Sequence, residues 1–347
     1  MNASVGDLLA IARRARSLTQ AQLGEMVNVS QVAINRYEAG ERQPDAATVA
    51  ALAGALGVTE ELLRHGDRFR GALGVEAHMR RQKSTKTSQW RRVEALLNLT
   101  RVHASFLFED VSIDAEHRLP TFDPEYTRPE DAARMVCAQW RLPMGPVTNL
   151  TRWLESAGCL VVEKDFGTQR IDGASQWVSD HPVILVNQSA PTDRKRLTLA
   201  HELGHLALHT DDPHEEMEAQ ANAFAAEFLM PEGEIRPEVR HLELGTLVDL
   251  KREWGVSMQA LLERAYRMGQ VSAAQRASIL KALNARGWKT QEPGSSSLPA
   301  EHPQLQKHIG EALTAKGLSD VEIARLAGYA NPGDCLFRPS GSHLRAV

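Results

Sequence analysis

The pentad His201-Glu202-Leu203-Gly204-His205 brings together the residue types of a metal-dependent hydrolase. Residues four apart lie on one face of a helix, one turn apart. Both imidazoles can then reach a single Zn²⁺ at about 2.0–2.1 Å, and Glu202 is placed to meet the attacking water as general base. Two helical histidines supply only two ligands, whereas a catalytic zinc takes a third protein ligand and keeps one position open. His209 continues the row of four-residue steps. It lies roughly 12 Å from His201 along the axis at 1.5 Å per residue, too far to share an ion. It is expected at the cleft mouth or packed at the helix end. The following stretch, HEEMEAQANAFAAEFLMP, offers Glu218 with Asn222 one turn later. A helix carrying Glu218 to the metal also brings Asn222 near it, where the amide can accept a hydrogen bond from the distal N–H of a ligand imidazole. Glu215, Glu216 and Glu227 compete for the same role, with Glu216 the nearest rival. Manganese or iron could fill such a set in place of zinc, because affinity order alone does not decide occupancy.

A second constellation lies near the N-terminus. In the stretch Gln31–Glu38, helical spacing turns Ile34 and Tyr37 inward with Ala33 and leaves Gln31, Val32, Asn35 and Arg36 outside. Amides and guanidinium groups suit the edges of adenine and guanine, and Val32 could touch a thymine methyl. Gln20, at the start of the preceding helix, sits where backbone amides and its side chain can grip a phosphate. Acidic and basic side chains balance over residues 1–70. The basic run from Arg80 through Arg81, Lys83, Lys86, Arg91 and Arg92 to Arg101 reads equally as a phosphate-contacting stripe or a solvated face.

These residues need elements to hold them. Thr19 and Ser30 are expected N-caps, Gly40 a helix stop, and Pro44-Asp45 the opening of another helix. Helical periodicity returns over Arg91–Phe108 and Arg128–Trp140. The runs CLVVE (159–163) and PVILVN (182–187) read as strands. Thr192 or Asp193 caps the helix with the pentad, and Glu216–Leu229 forms the next, where alanines permit close packing. QEPGSSSLPAEHP (291–303) reads as a linker, 304–330 as one or two helices, and the last residues as ill-ordered. No internal repeat is evident.

At 347 residues the chain has room for two or three domains, and its 42% hydrophobic and 24% charged residues are ordinary for a globular protein. No apolar run reaches membrane-spanning length. Three scattered cysteines without CxxC pairing exclude a disulfide framework and a cysteine metal site, which points to the cytoplasm. The net charge of −4 does not announce a nucleic-acid binder by itself.

Two resemblances join these observations. Residues from Ala12 to Leu63, including the Tyr-Glu-x-Gly end and the proline after it, resemble the Xre-type, phage-repressor-like helix-turn-helix family. That likeness implies five helices with Gln31–Glu38 as recognition helix, and binding of palindromic double-stranded DNA operators as a homodimer. Residues 128–290 resemble the ImmA/IrrE family of gluzincin-like metallopeptidases. The carrying motifs are VILVNQSAPTDRKRLTLAHELGHLALH, EAQANAFAAEFLMP and WGVSMQALLERAYRMGQVS. The family places metal ligands on His201 and His205 and the general base on Glu202, and its E-x-x-A-N-x-F-A pattern falls on Glu218.

The expected fold is therefore mainly α. An N-terminal five-helix lambda-repressor-like domain (1–66) precedes a partly basic linker or helical connector (67–127). An α+β zincin-like peptidase domain with a small β-sheet and further C-terminal helices (128–290) follows, then a linker with a short helical or disordered tail (291–347). The expected function is that of a DNA-binding transcriptional regulator with a zinc-dependent endopeptidase domain that cleaves a repressor or antitoxin-like protein. The alternative is a regulator whose peptidase-like domain binds metal and senses or binds a partner, with little turnover. The oxyanion stabiliser is left open among His209, His181 and a tyrosine.

Overall fold

Capping side chains set the boundaries of the first helices. Thr19 accepts from the Gln22 N–H, Ser30 from Ala33 and Asp45 from Thr48, each satisfying a donor that the first turn leaves unpaired. In the computed structural model, which describes residues 5–64, 86–109, 111, 115–178, 181–209, 215–289 and 291–339, these caps open the middle three of five helices. They are α1 (Val5–Ala15), α2 (Gln20–Met26), α3 (Gln31–Glu38), α4 (Ala46–Leu56) and α5 (Glu60–Arg64). Leu8, Leu9, Leu23, Ile34, Leu52, Leu56, Leu62 and Leu63 form their common core. Gly6 lets α1 cross the end of α3, since a Cβ there would sit 2.4 Å from the Tyr37 carbonyl oxygen.

The stretch expected as linker or connector contains α6 (Thr87–Phe108), a helix of 22 residues buried on two sides. Leu99, Val102 and Phe106 pack into the N-terminal core. Val93, Leu97, Ala104 and Leu107 pack against the β-sheet. Arg80, Arg81 and Lys83 of the basic run lie outside the described residues. Lys86 and Arg91 are exposed, but Arg101 departs from both readings of that run. It is buried, bonds Asn98 and Gln176, and donates to the Trp177 carbonyl. Burial pushes its guanidinium down to about 10.

After α7 (Pro129–Gln139) and α8 (Leu150–Ser156) come three strands, β1 (Leu160–Lys164), β2 (Gly173–Val178) and β3 (His181–Asn187). Their order is β1-β3-β2, with Leu160 paired in parallel to Val183 and Ser175 antiparallel to Ile184. Alternation splits the side chains between two covered faces. Val161, Ile184 and Val186 join the core built on α9 (Thr192–Leu208) and α10 (Met217–Leu229). Leu160, Val162, Val183 and Leu185 face α6. The smaller helices α11 (Glu232–Ile235), α12 (Leu244–Trp254), α13 (Met258–Arg267) and α14 (Ala273–Ala285) follow. Among the described residues no helix is long and apolar enough to cross a membrane.

The Gly/Ser/Pro-rich stretch 291–303 is pinned rather than loose. Glu292 accepts from Lys251 Nζ at 2.7 Å and from the Met258 N–H at 2.7 Å, while Glu301 pairs with Arg196 near the start of α9. Its polar composition signals a linker, but two of its carboxylates meet buried cations. The chain then forms α15 (Leu305–Ala315) and α16 (Asp320–Leu326), and Phe337 is fully buried beyond them, so the described part of the tail up to residue 339 is packed. The expectation of no internal repeat is corrected by these last helices, whose geometry repeats α1 and α2. The likeness lies in caps and left-handed residues more than in residue identity.

Lys251 is fully buried between Asp193, Glu292 and Ser295. Lys251→Ala should lower stability by about 3–5 kcal/mol in urea unfolding, because two carboxylates lose their cation inside the protein. A loss below about 1 kcal/mol would show that this cluster does not anchor 291–303.

Candidate metal centre and recognition helix

Helix α9 presents His201 and His205 on its inner face because four residues make about one turn. It can approach α10 closely because Gly204 has no side chain. A Cβ there would lie 3.1 Å from the Phe224 Cβ and 3.2 Å from the Ala221 Cα. This approach brings three ligand-type groups together. The Nε2 atoms of His201 and His205 are 3.0 Å apart, and the Glu218 carboxylate lies 3.6 Å from the first and 3.3 Å from the second. A tetrahedral zinc with bonds of about 2.0–2.1 Å separates its ligand atoms by about 3.3 Å. The donor set and its spacing fit that ion. Both imidazoles are buried, whereas the Glu218 side chain is 58% exposed, so the centre opens on the α10 side.

Outer contacts orient the rings. His201 Nδ1 is 3.2 Å from Asn222 Oδ1, whose amide nitrogen donates to the Glu218 carbonyl. An Nδ1–H donated to that oxygen leaves the His201 Nε2 lone pair facing the centre. His205 Nδ1 is 3.0 Å from His209 Nδ1, and His209 Nε2 is 2.8 Å from Gln220 Oε1. His209 thus sits buried at the end of α9, backing His205 from behind. Glu216 is the residue just before α10 and Glu215 is exposed. Glu227 is bound by Arg134 and Arg264. Neither Glu215, Glu216 nor Glu227 belongs to the close group formed by His201, His205 and Glu218.

Glu202 points toward β2. Ser175 donates its hydroxyl to Glu202 Oε2 at 2.6 Å, and both residues are fully buried. Trp177, two residues on, donates its indole N–H to the Leu206 carbonyl. These contacts were missed from sequence because GASQWV lacks the β-branched signature of a strand. Gln220 was missed because an amide inside an alanine-rich helix carries no spacing signal. A cleft of about 1140 Å³ has Asn222, Ala226, Met230, Asp172 and Arg264 among its walls, and it reaches the centre only through Asn222, since His201, Glu202, His205 and Glu218 do not line it.

At the N-terminal module, Ile34 and Tyr37 are buried, while Gln31, Val32, Asn35 and Arg36 are exposed on one helix. Val32 is 61% exposed. Gln20 is the first residue of α2. Its side-chain amide donates to Glu38 Oε2 at 2.9 Å, the carboxylate that Arg13 also holds, and is therefore committed inside the module.

Comparison with known families agrees with this division. Residues 9–63 match the family model described as Helix-turn-helix, and residues 154–266 match that of the IrrE N-terminal-like domain, Peptidase_M78. The chain thus fuses an Xre-like helix-turn-helix module to an ImmA/IrrE-like, metallopeptidase-type domain. No curated protein matches the chain. Helix α7 precedes the matched peptidase segment, yet Ala132, Ala133 and Val136 complete its core.

Gly173 marks where β2 touches α9. A Cβ there would lie 2.5 Å from Thr198 Cγ2 and 3.1 Å from Glu202 Oε1. Gly173→Ala should destabilise the protein by about 1–3 kcal/mol through overpacking. Thr198→Ser in the same chain should restore most of the loss in thermal unfolding. Failure of that rescue would place the cost elsewhere than the Thr198 methyl.

Proposed function

We propose that this protein is a DNA-binding transcriptional regulator and a zinc-dependent endopeptidase, acting in the cytoplasm on a repressor or antitoxin-like protein. The observation that carries the reading is the mutual spacing of His201, His205 and Glu218, which matches the edges of a zinc tetrahedron. His201, His205 and Glu218 would hold the ion, with manganese or iron as possible substitutes. When bound, the metal supplies Lewis acidity toward the scissile carbonyl and the attacking water.

The chain's own residues do the remainder. Glu202 takes the proton of the water and passes it to the leaving amine. The Ser175 hydroxyl holds the Glu202 carboxylate in one orientation. Asn222 fixes the His201 ring, and His209 with Gln220 fixes His205.

Glu202→Gln should retain zinc and DNA binding yet abolish cleavage, since this residue moves protons and does not hold the ion. Glu218→Gln and His201→Ala should lose most of the zinc, whereas Glu216→Gln should keep it. Substrates retained by the Glu202→Gln protein, and cleaved termini in cells with the native chain, can be read by mass spectrometry. Normal induction of the target operon in a Glu202→Gln strain, with no altered cleavage product, would favour the reading in which the peptidase-like domain binds metal without turnover.

On DNA, Gln31 and Arg36 would read base edges, Asn35 and Val32 would flank them, and a homodimer would span a palindromic operator. Arg36→Ala should cost about 1–3 kcal/mol in operator affinity and relax specificity at one position. Unchanged binding at every salt concentration would remove α3 from the interface.

A further inference from the structure

The last described helices copy the first two at a constant offset of three hundred residues. Helix α15 runs Leu305–Ala315 against Val5–Ala15 for α1, and α16 runs Asp320–Leu326 against Gln20–Met26 for α2. Both second helices begin with a capping box, Thr19 with Gln22 and Ser319 with Glu322. The caps have nearly the same backbone angles, −78° and 161° against −78° and 162°. Left-handed residues recur at the same two places, Ser17 with Gly317 and Asn28 with Gly328. The connecting hydrogen bonds match too. Leu18 N–H bonds the Arg13 carbonyl as Leu318 does Leu313, and Val29 bonds Gly24 as Tyr329 does Ala324. The inward positions Leu23 and Ile323 correspond, as do Gly24 and Ala324.

The copy departs from the original where DNA would be met. Where Gln31–Glu38 forms the recognition helix, the second unit has only the short turn Pro332–Asp334. Asp320 and Glu322 replace Gln20 and Gln22 at the helix start, and carboxylates there repel phosphate. What the second unit touches instead is the first one. Val58 pairs with Tyr329 as an antiparallel bridge, Thr59 N–H donates to the Gly328 carbonyl at 2.9 Å, and Ala330 N–H to the Gly57 carbonyl at 3.1 Å. Tyr329 stacks on His103 of α6 with ring centroids 3.7 Å apart, and His103 Nδ1–H donates to the Ala327 carbonyl at 2.7 Å. On its other side the unit packs Ile309, Leu313, Ile323 and Phe337 into the core under the sheet.

We infer that residues 305–337 are a truncated second helix-turn-helix unit that has exchanged DNA for a protein partner, the chain's own DNA-binding module, which it docks onto the rear face of the catalytic sheet. Nothing in this inference requires the metal centre to be active. Its seam includes one bridge, one stacked pair, the peptide groups around Gly328 and the Arg16–Asp334 ion pair at 3.6 Å. The recognition helix is thereby held at a set position relative to the sheet that carries Ser175.

The test uses the full chain and hydrogen–deuterium exchange. In the native protein the amides of Thr59 and Ala330 should exchange at least tenfold more slowly than unstructured backbone. Gly328→Val strains a left-handed residue and drives a side chain into Leu62, whose Cδ1 would be 2.2 Å from the new Cβ. In that variant both amides should lose their protection, while zinc per chain and exchange over residues 201–222 stay at native values. Unprotected Thr59 and Ala330 amides in the native chain would overturn the inference, and so would retained protection in Gly328→Val. Should that variant also lose zinc, a second one decides. Val58→Cys with Tyr329→Cys, in a Cys335→Ser background, places two thiols at a non-hydrogen-bonded pair with Cα atoms about 4.5 Å apart, within disulfide range. Full intramolecular cross-linking on mild oxidation supports the docked seam, and a chain that stays reduced or pairs between molecules refutes it.

Discussion

The contact between Gly204 on α9 and Ala221 on α10 is the constraint on which the metal centre depends. Ligand atoms must converge to about 3.3 Å for a tetrahedral ion. Glu218 comes from a different helix than the two histidines, so the separation of the helices sets that distance. A side chain at Gly204 would press on Phe224 and Ala221, on the helix that carries Glu218. The same approach brings Asn222 and Gln220 within reach of His201 and His209. One missing methyl group thus fixes both the ligands and the groups that orient them.

Helical spacing made much of this site legible. The four-residue interval put two imidazoles on one face, and the pairing of Glu218 with Asn222 singled out the acid that lies 3.3–3.6 Å from them. Caps marked the N-terminal helices because Thr19, Ser30 and Asp45 act locally, within three residues of their partners. What escaped detection depends on contacts distant in sequence. Strand β2 has a polar, glycine-led sequence and exists because β3 and α9 flank it. Glu292 and Glu301 look like linker residues until Lys251 and Arg196 are found opposite them. The repeated helix pair escaped notice because backbone angles, not side-chain types, carry the likeness.

Helix α6 gives the two modules a shared core. Apolar residues on one of its sides belong to the helix-turn-helix, and those on the other to the sheet. Between them Arg101 reaches the Trp177 carbonyl on β2, the strand that also holds Ser175 against Glu202. A rotation of this helix cannot be confined to either neighbour, since interiors packed at crystal-like density transmit displacement. The helix-turn-helix module and the peptidase-like domain are thus joined through packed side chains as well as through the chain itself.

The uneven burial of the three ligands also bears on how long an ion would stay. His201 and His205 are enclosed, but Glu218 is 58% exposed at the surface. A carboxylate at the mouth can swing out on its own rotamers, a motion of picoseconds to nanoseconds, while the imidazoles stay in place. An ion held by these three groups would then leave without unfolding of α9 or α10. The two imidazoles are thus a fixed holder and the carboxylate an open latch on the solvent side.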